Sequence, residues 1–249
     1  DRGIHLRTDD SVVRSLGGQL RQIRRSRGYA PAPVTLAEGL VSGQAPPILA
    51  VGALLKNTLC LLRGRQAFVS QHVGDLENLE TLGFFELTAG HLARILEAQP
   101  ALLACDPHPD YLSTRWAWEQ GLPVVPVQHH HAHAVAVMAE HGLTGQVLAL
   151  SLDGTGFGPD GTVWGGELLL ARAESYRRLG HLRHLHLPGG DHAVKEPWRV
   201  GLGLLWRAYG ERAASLDLGL IKSHGKHLPL LRQMMAQAGG GLRGAGGHR

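Results

Sequence analysis

The sequence predicts a mixed α/β protein with two lobes, and three observations support this. From residue 48 onward, short apolar runs of strand type alternate with helix-like segments. Glycine is abundant, at 34 of 249 residues, while aromatic residues make up 5%, which suits a turn-rich protein whose backbone approaches ligands closely. Two polar motifs, a histidine cluster at 129–133 and a glycine-rich turn after Asp153, each stand where a strand is predicted to end.

The first lobe is predicted to open with three strands joined by tight turns. The apolar runs are residues 48–52, 59–62 and 66–71, whose length is typical of strands in a meander. Residues 56–58 (Lys-Asn-Thr) separate the first two. Their ammonium and hydroxyl groups suit a phosphate, and they suit a solvated turn equally well.

The segments that follow predict an alternation of helices and strands. A helix starts around residues 74–78, and the period of Leu87, Leu92, Ile95 and Leu96 predicts a helical stripe within 88–99. Strand 102–105, helix 114–120, strand 123–127 and helix 132–141 come next. This order of elements is that of the opening lobe of the actin/sugar-kinase/Hsp70 fold, in which a nucleotide lies between two lobes.

A second lobe is predicted to begin at strand 147–152. The strand runs directly into Asp153-Gly154-Thr155-Gly156, and residues 161–167 are predicted to return as another strand. Glycines at such a turn leave backbone N–H groups free to face a phosphate, and an acidic residue at the strand end can hold a cation. An ordinary hairpin is the alternative.

The histidine cluster predicts a metal site. His129 and His133 are four residues apart, so that in the first turn of a helix they share a face and can bind one metal ion. His130 and His131 then point elsewhere. Asp153 adds a third, oxygen ligand, and two histidines with one carboxylate suit iron or zinc. The alternative is a polar helix start without a metal.

Composition limits the class of protein. The hydrophobic content of 43% is ordinary for a globular protein, and no apolar run has the roughly 18 residues needed to span a bilayer. The two cysteines are not clustered, which predicts neither a disulfide framework nor a thiolate zinc site. These features predict a soluble, cytoplasmic protein. The start, Asp1-Arg2-Gly3, suggests that the chain is cut from something longer.

Positive charge is concentrated in the first 30 residues. Seven arginines and three aspartates there account for the whole formal net charge of +4. The arginines at 21–27 could contact nucleic acid, bind a nucleotide phosphate, or form a solvated strand edge. Residues 30–33 (Ala-Pro-Ala-Pro) are typical of a linker.

Several motifs, in order, resemble the HypF-type carbamoyltransferase family of [NiFe]-hydrogenase maturation. Residues 10–14 and 24–31 resemble the end of the family's YrdC-like domain. Those that resemble its carbamoyltransferase domain are Gly52 with 55–58, then 70–76, 105–111 (Cys-Asp-Pro-His-Pro-Asp-Tyr), 128–133, 153–158, 164–167, 187–191 and 195–199. The His-x-x-x-His pair is shared with the tRNA threonylcarbamoyl transferase TsaD and with NodU-type O-carbamoyltransferases, whereas the 105–111 and Glu-Pro-Trp-Arg motifs are more specific to HypF.

The resemblance implies an ATP-dependent activity. A carbamoyl group passes from carbamoyl phosphate, through a carbamoyl adenylate, to the C-terminal cysteine of HypE, for the cyanide ligands of iron. His129, His133 and Asp153 match metal ligands of the family. Lys56 and Gly154, Thr155 and Gly156 would lie near the nucleotide phosphates. The motif of Asp191, Lys195, Glu196 and Arg199 has no assigned role, and a buried ionic cluster with a structural role is favoured over an acceptor-side wall.

The resemblance also predicts domain boundaries. Residues 1–33 correspond to the tail of the YrdC-like domain, 34–46 to a linker and 47–237 to an incomplete carbamoyltransferase domain, while 238–249 form a disordered tail. The family's acylphosphatase-like and zinc-finger domains and a late aspartate ligand have no counterpart in the sequence. This predicts a protein that is inactive by itself. The alternatives are a relative that carbamoylates an alcohol or a tRNA, and a non-catalytic metal- or nucleic-acid-binding module.

Overall fold

The computed structural model describes residue 3 and residues 6–183 and 187–238. The chain divides into two compact units, Asp1–His181 and Leu182–Arg249, which are described separately below. Within the described residues, no helix combines the length and the apolar character required to cross a membrane.

The first unit begins with a two-stranded antiparallel hairpin, β1 (Val12–Leu16) and β2 (Gln19–Arg24). Gly17 and Gly18 form its turn with φ of 58° and 78°, a backbone conformation that glycine adopts without strain. Strand β2 is mostly exposed, which agrees with the solvated strand edge, one of the alternatives for the arginines at 21–27. The assignment of the hairpin to the tail of a YrdC-like domain stays a prediction.

The central element of the first unit is a six-stranded mixed sheet. Its strands are β3 (Val34–Thr35), β4 (Ile48–Ala50), β5 (Cys60–Arg63), β6 (Gln66–Val69), β7 (Leu102–Cys105) and β8 (Val124–Pro126). Across the sheet they lie in the order β3-β6-β5-β4-β7-β8. The pairs β4–β7 and β7–β8 are parallel and the others antiparallel. Strand β3 lies within the segment expected to be a linker.

Three helices accompany this sheet: α1 (Leu79–Ile95), α2 (Leu112–Glu119) and α3 (His129–His141). Helix α1 begins directly after residues 74–78, where a helix start was predicted, and Asn78 caps it by accepting a hydrogen bond from the Thr81 N–H. The predicted stripe is partly wrong. Leu92 is buried, but Leu87 and Ile95 are exposed.

The core of the first unit lies between the sheet and these helices. Phe85 of α1 is fully buried and meets the ring of Trp116 of α2 edge-on, with centroids 5.1 Å apart. Other fully or nearly fully buried members of this core are Val51, Leu59, Leu61, Leu76 and Leu103. The apolar face of the sheet thereby fixes the carboxyl ends of β7 and β8, from which the candidate site is built.

A second sheet follows, with the order β13-β12-β9 and antiparallel pairing throughout. A small ribbon of two further strands lies between β9 and β12 in the chain. The strands are β9 (Val147–Ser151), β10 (Gly156–Phe157), β11 (Val163–Trp164), β12 (Glu167–Ala171) and β13 (Tyr176–His181). The single strand predicted for 161–167 is therefore wrong, because the chain breaks at Gly165 and at Gly166, whose φ is 76°. The mixed α/β class is confirmed.

The second unit is helical. Leu202, Leu228 and Leu231 form its buried core. Its helices are α4 (Asp191–Lys195), α5 (Trp198–Tyr209), α6 (Gly219–His224) and α7 (Leu228–Ala238), with 3₁₀ turns at Gly210–Ser215 and Gly225–His227. Helix α7 lies at the end of the segment predicted to be the carbamoyltransferase domain. The tail predicted to be disordered lies, apart from Ala238, outside the described residues, and the predicted domain boundaries stay predictions.

Candidate metal centre

The histidine cluster forms the first turn of α3, immediately after β8. Gln128 caps the helix, because its side-chain oxygen accepts a hydrogen bond of 2.9 Å from the His131 N–H. The helix ends at Gly142, which is left-handed with φ of 64°, as a helix C-terminus favours. The sequence prediction of a strand followed by a histidine-bearing helix is confirmed.

His129, His133 and Asp153 come together in the structure. One ligand atom from each lies within 4.8 Å of the others. Asp153 Oδ2 is 2.7 Å from His129 Nε2 and 3.5 Å from His133 Nε2. The oxygen is buried, yet it has no partner with hydrogen-bond geometry among the described residues. A buried carboxylate oxygen that two imidazole nitrogens face in this way is suited to a cation shared by all three groups.

The 3.5 Å separation of His133 Nε2 from Asp153 Oδ2 fits a shared metal ion, whereas the 2.7 Å separation of His129 Nε2 from the same oxygen must widen to admit one. Zinc bonds of about 2.0–2.2 Å to nitrogen and oxygen place the ligand atoms of a tetrahedral site about 3.4 Å apart. Two histidines and one carboxylate on one side of an ion also match the ligand set of many non-haem iron sites. The residues present are therefore suited to iron or zinc.

A second carboxylate contacts His129 through Nδ1, the ring nitrogen that does not face Asp153. Asp106, directly after β7, accepts a hydrogen bond of 2.7 Å from His129 Nδ1 through its Oδ2 atom. Since β7 and β8 are parallel neighbours, their carboxyl ends meet at one edge of the sheet, which brings Asp106 beside the start of α3. No role was predicted for Asp106, although an aspartate directly after a buried strand is a signal that the sequence contains.

Electrostatics in the cluster favour bound positive charge. The hydrogen bond to Asp106, and then the close carboxylate of Asp153, raise the pKa of His129 to about 9 despite its partial burial. His129 and then His133 hold the pKa of Asp153 far below its usual range. At neutral pH the metal-free cluster therefore contains a protonated His129 beside the ionised carboxylate of Asp153.

The other two histidines point elsewhere, as predicted. His131 Nε2–H donates to the carbonyl of Arg172 at 2.8 Å. His130 is fully buried and accepts a hydrogen bond of 3.1 Å at Nδ1 from the side-chain amide of Gln128. Its Nε2 has no partner in the described part of the chain, and burial lowers the pKa of His130.

The loop that carries Asp153 is held by a buried ion pair that the sequence analysis missed. Glu167 is 1% exposed and accepts hydrogen bonds of 2.6 and 2.9 Å from Arg178. It also accepts a bond of 3.0 Å from the Gly165 N–H. A Cβ atom on Gly165 would lie 2.9 Å from the carbonyl oxygen of Asp153. The Trp-Gly-Gly-Glu motif therefore serves to pack the chain tightly beneath Asp153.

The residues predicted to lie near nucleotide phosphates are in two separate segments of the chain. Gly154 and Thr155 are exposed, whereas Gly156 is buried, and a Cβ atom there would lie 2.5 Å from His130 Cε1. Lys56 lies in the loop between β4 and β5 with an exposed side chain, and its backbone N–H donates to Asp75 Oδ1 at 2.7 Å. The proposed phosphate contacts stay predictions.

The Glu-Pro-Trp-Arg motif lies in the second unit. Glu196 and Arg199 form an ion pair of 2.5 Å. Trp198 stacks on His224 with ring centroids 4.7 Å apart. The Glu196 side chain is 41% exposed, so the expectation of a buried ionic cluster is wrong for this pair. Lys195 is exposed, and the side chain of Asp191 lies outside those described.

Comparisons with known proteins agree with the motifs and the fold. Residues 43–140 match the family model of the HypF Kae1-like domain. Residues 149–240 match that of the second subdomain of the carbamoyltransferase Kae1-like domain. Carbamoyltransferase HypF2 of Cupriavidus necator is 48% identical over 244 residues, which are 95% of this chain and 29% of that protein. Carbamoyltransferase HypF of Rhizobium leguminosarum bv. viciae is 49% identical over 208 residues, 84% of this chain and 27% of that protein.

Solved structures show the same relationship. A crystal structure of full-length HypF in the phosphate- and nucleotide-bound form has a TM-score of 0.78 and 37% identity, over 93% of this chain and 30% of that one. HypF of T. kodakarensis has a TM-score of 0.75 and 33% identity, over 93% of this chain and 32% of that one. The chain thus spans less than a third of the length of these relatives. By its matching domains, its relatives and its fold, the chain belongs to the HypF carbamoyltransferase family.

Proposed function

We propose that this chain carries the carbamoyl-transfer site of a HypF-type hydrogenase maturation enzyme. The observation that carries the proposal is the convergence of His129, His133 and Asp153 within 4.8 Å, inside a chain whose relatives are named carbamoyltransferases. The geometry argues against a polar helix start without a ligand, since such a start does not require an aspartate oxygen placed between the Nε2 atoms of two histidines.

His129, His133 and Asp153 would hold one divalent ion, iron or zinc. Bound there, such an ion supplies Lewis-acid polarisation of a carbonyl or phosphoryl oxygen. The chain's own groups fix the site. Helix α3 presents both imidazoles on one face, and the packing of Gly165 beneath Asp153 holds the carboxylate toward them. The exposed side chain of His133 leaves this side of the site open to a substrate.

The substrates are ATP and carbamoyl phosphate, with transfer through a carbamoyl adenylate. Gly154, Thr155 and Gly156 follow Asp153 directly, so that a phosphate at this turn would lie beside the ion. One related crystal structure is described as phosphate- and nucleotide-bound, which supports a nucleotide site in the family. Lys56 is the residue that we propose for contact with the phosphates from the first lobe.

The proposed acceptor is the C-terminal cysteine of HypE. Its thiol sulfur attacks the carbamoyl carbon, the bond from that carbon to the adenylate phosphate oxygen breaks, AMP leaves, and the thiol proton passes to solvent. An alcohol or a tRNA adenosine would be the acceptor if the chain acted as NodU-type or TsaD-type relatives do. The specificity of residues 105–111 for HypF supports the thiol.

The acceptor is identified by a transfer experiment. The chain, loaded with Zn²⁺ or Fe²⁺, is mixed with ATP, carbamoyl phosphate and a separate YrdC-like domain that makes carbamoyl adenylate. HypE, tRNA and a small alcohol are offered in parallel. We expect mass spectrometry to find one carbamoyl group on the C-terminal cysteine of HypE, and none on HypE in which that cysteine is serine. Carbamoyl transfer to tRNA or the alcohol alone, or to no acceptor, would contradict the proposal.

Metal affinity is expected to depend on pH through His129. Below about pH 9 this side chain is protonated in the metal-free protein, and the Nε2 proton must leave before the nitrogen can bind an ion. The affinity for Zn²⁺ is therefore expected to rise by about tenfold per pH unit across the neutral range and to level off above about pH 9. Competition with a chromophoric chelator measures this. An affinity that is constant from pH 6.5 to 8.5 would contradict the raised pKa of His129 in the metal-free protein.

A further inference from the structure

Asp106 is held more rigidly than a chance ion-pair partner of His129 would be. It is 7% exposed. Its Oδ1 atom accepts a hydrogen bond of 2.9 Å from the His108 N–H, and its carbonyl oxygen accepts one of 2.8 Å from the Thr114 hydroxyl. Only Oδ2 remains, and His129 Nδ1–H donates to it at 2.7 Å.

The turn that bears Asp106 is also packed against the loop that bears Asp153. His108 stacks on Tyr111 with ring centroids 4.2 Å apart. The same ring meets Phe157 of β10 at 5.4 Å, inclined by 66°. The turn after β7 therefore contacts two other parts of the site. Asp106 bonds His129 at the start of α3, and His108 contacts Phe157 in the chain after Asp153.

The hydrogen bond determines which nitrogen of His129 is available. An ionised carboxylate only accepts hydrogen bonds, so that the proton of a neutral His129 must lie on Nδ1. The lone pair then lies on Nε2, the atom that faces Asp153 at 2.7 Å. Carboxylates that accept a bond from the outer nitrogen of a metal-binding histidine orient its ring and increase its basicity.

We propose that Asp106 is a positioning residue of the metal centre, which fixes the ring and the tautomer of His129 for binding through Nε2. This inference rests on the proposed metal site. It assigns a function to the first acidic residue of the Cys-Asp-Pro-His-Pro-Asp-Tyr motif. Asp106 itself does not touch the ion.

Asp106→Asn tests the role with little change of shape. The wild-type carboxylate accepts two hydrogen bonds with two oxygens, whereas asparagine offers one oxygen, so that either His129 or the His108 N–H loses its acceptor. We expect the affinity for Zn²⁺, measured by chelator competition, to fall about 10- to 100-fold. Asp110→Asn is the matched control, because Asp110 lies on the same turn but its exposed carboxylate bonds Arg115 at 2.8 Å. This variant is expected to stay within about twofold of wild type, since exposed ion pairs contribute little.

A second measurement begins with the wild-type protein, so that its first result does not require the variant to fold. Nitrogen-15 spectra of the histidine side chains in the Zn²⁺-loaded wild-type protein are expected to show His129 bound through Nε2, with a slowly exchanging proton on Nδ1. In Asp106→Asn, if its metal-free circular dichroism matches wild type, that Nδ1–H signal is expected to move or vanish. A purely structural role would leave the tautomer unchanged.

The outcomes separate this inference from the proposed function. If the wild-type chain binds no Zn²⁺ or Fe²⁺, both are overturned. If wild type binds and His129→Ala weakens binding, but Asp106→Asn binds as Asp110→Asn does, only the positioning role of Asp106 is overturned. Zn²⁺ bound through Nδ1 of His129 would overturn it as well.

Discussion

Replacing His129 or His133 by alanine is expected to lower the affinity of the chain for Zn²⁺ or Fe²⁺ by at least about 100-fold. Even the loss of an outer partner of a metal ligand costs about 10- to 100-fold, and each variant here removes a ligand itself. His129→Ala should have the larger effect, because His129 is 19% exposed and lies between two carboxylates, whereas His133 is 57% exposed.

The measurement is metal content after dialysis together with chelator competition, and His141→Ala is the matched control. His141 is the last residue of α3 and is exposed, so that its loss removes a histidine from the same helix without touching the site. Equal affinity in His129→Ala and His141→Ala would refute the metal site. Carbamoyl transfer to HypE is expected to fall in parallel with metal content.

Replacing Glu167 by alanine is expected to destabilise the first unit by about 3 kcal/mol. Removal of one partner from a buried ion pair costs about 3–5 kcal/mol, because the other charge loses its compensation. The lower end applies here, since Arg178 keeps 21% of its side chain exposed, lies 3.5 Å from Asp160 and stacks over Trp164 at 4.0 Å. Urea unfolding measures the change.

Glu174→Ala is the control, because Glu174 lies in the exposed turn between β12 and β13 and its loss should change stability by less than about 0.5 kcal/mol. Burial opposes ionisation of Glu167, but the bonds from Arg178 and the Gly165 N–H outweigh it and lower its pKa. The contribution of this pair is thus present above the ordinary carboxylate pKa and is lost as the pH falls below it. A loss of under about 1 kcal/mol at neutral pH would contradict the role of Glu167.

Local patterns predicted the parts of the site that lie close together in the chain. The spacing of His129 and His133 placed both imidazoles on one helix face, because the helix period is a local property. The positions of β8 before this helix and of β9 before Asp153 followed from β-branched and apolar runs. The buried face of α1 was only partly predicted. Its buried residues Phe85, Thr88, Ala89 and Leu92 follow the i, i+3, i+4, i+7 spacing of one helix face, but the predicted stripe included Leu87 and Ile95, which are exposed.

The sequence by itself determined the element order of the first lobe, the family and the three candidate metal ligands. Only the tertiary structure decided that Asp106, 23 residues before His129, supports this ligand, because the contact exists only where two parallel strands end side by side. It likewise decided the pairing of Glu167 with Arg178. The register of β12 and β13 shifts between Leu168 and Leu169, and a shift in strand register depends on the whole sheet rather than on the residues that it brings together.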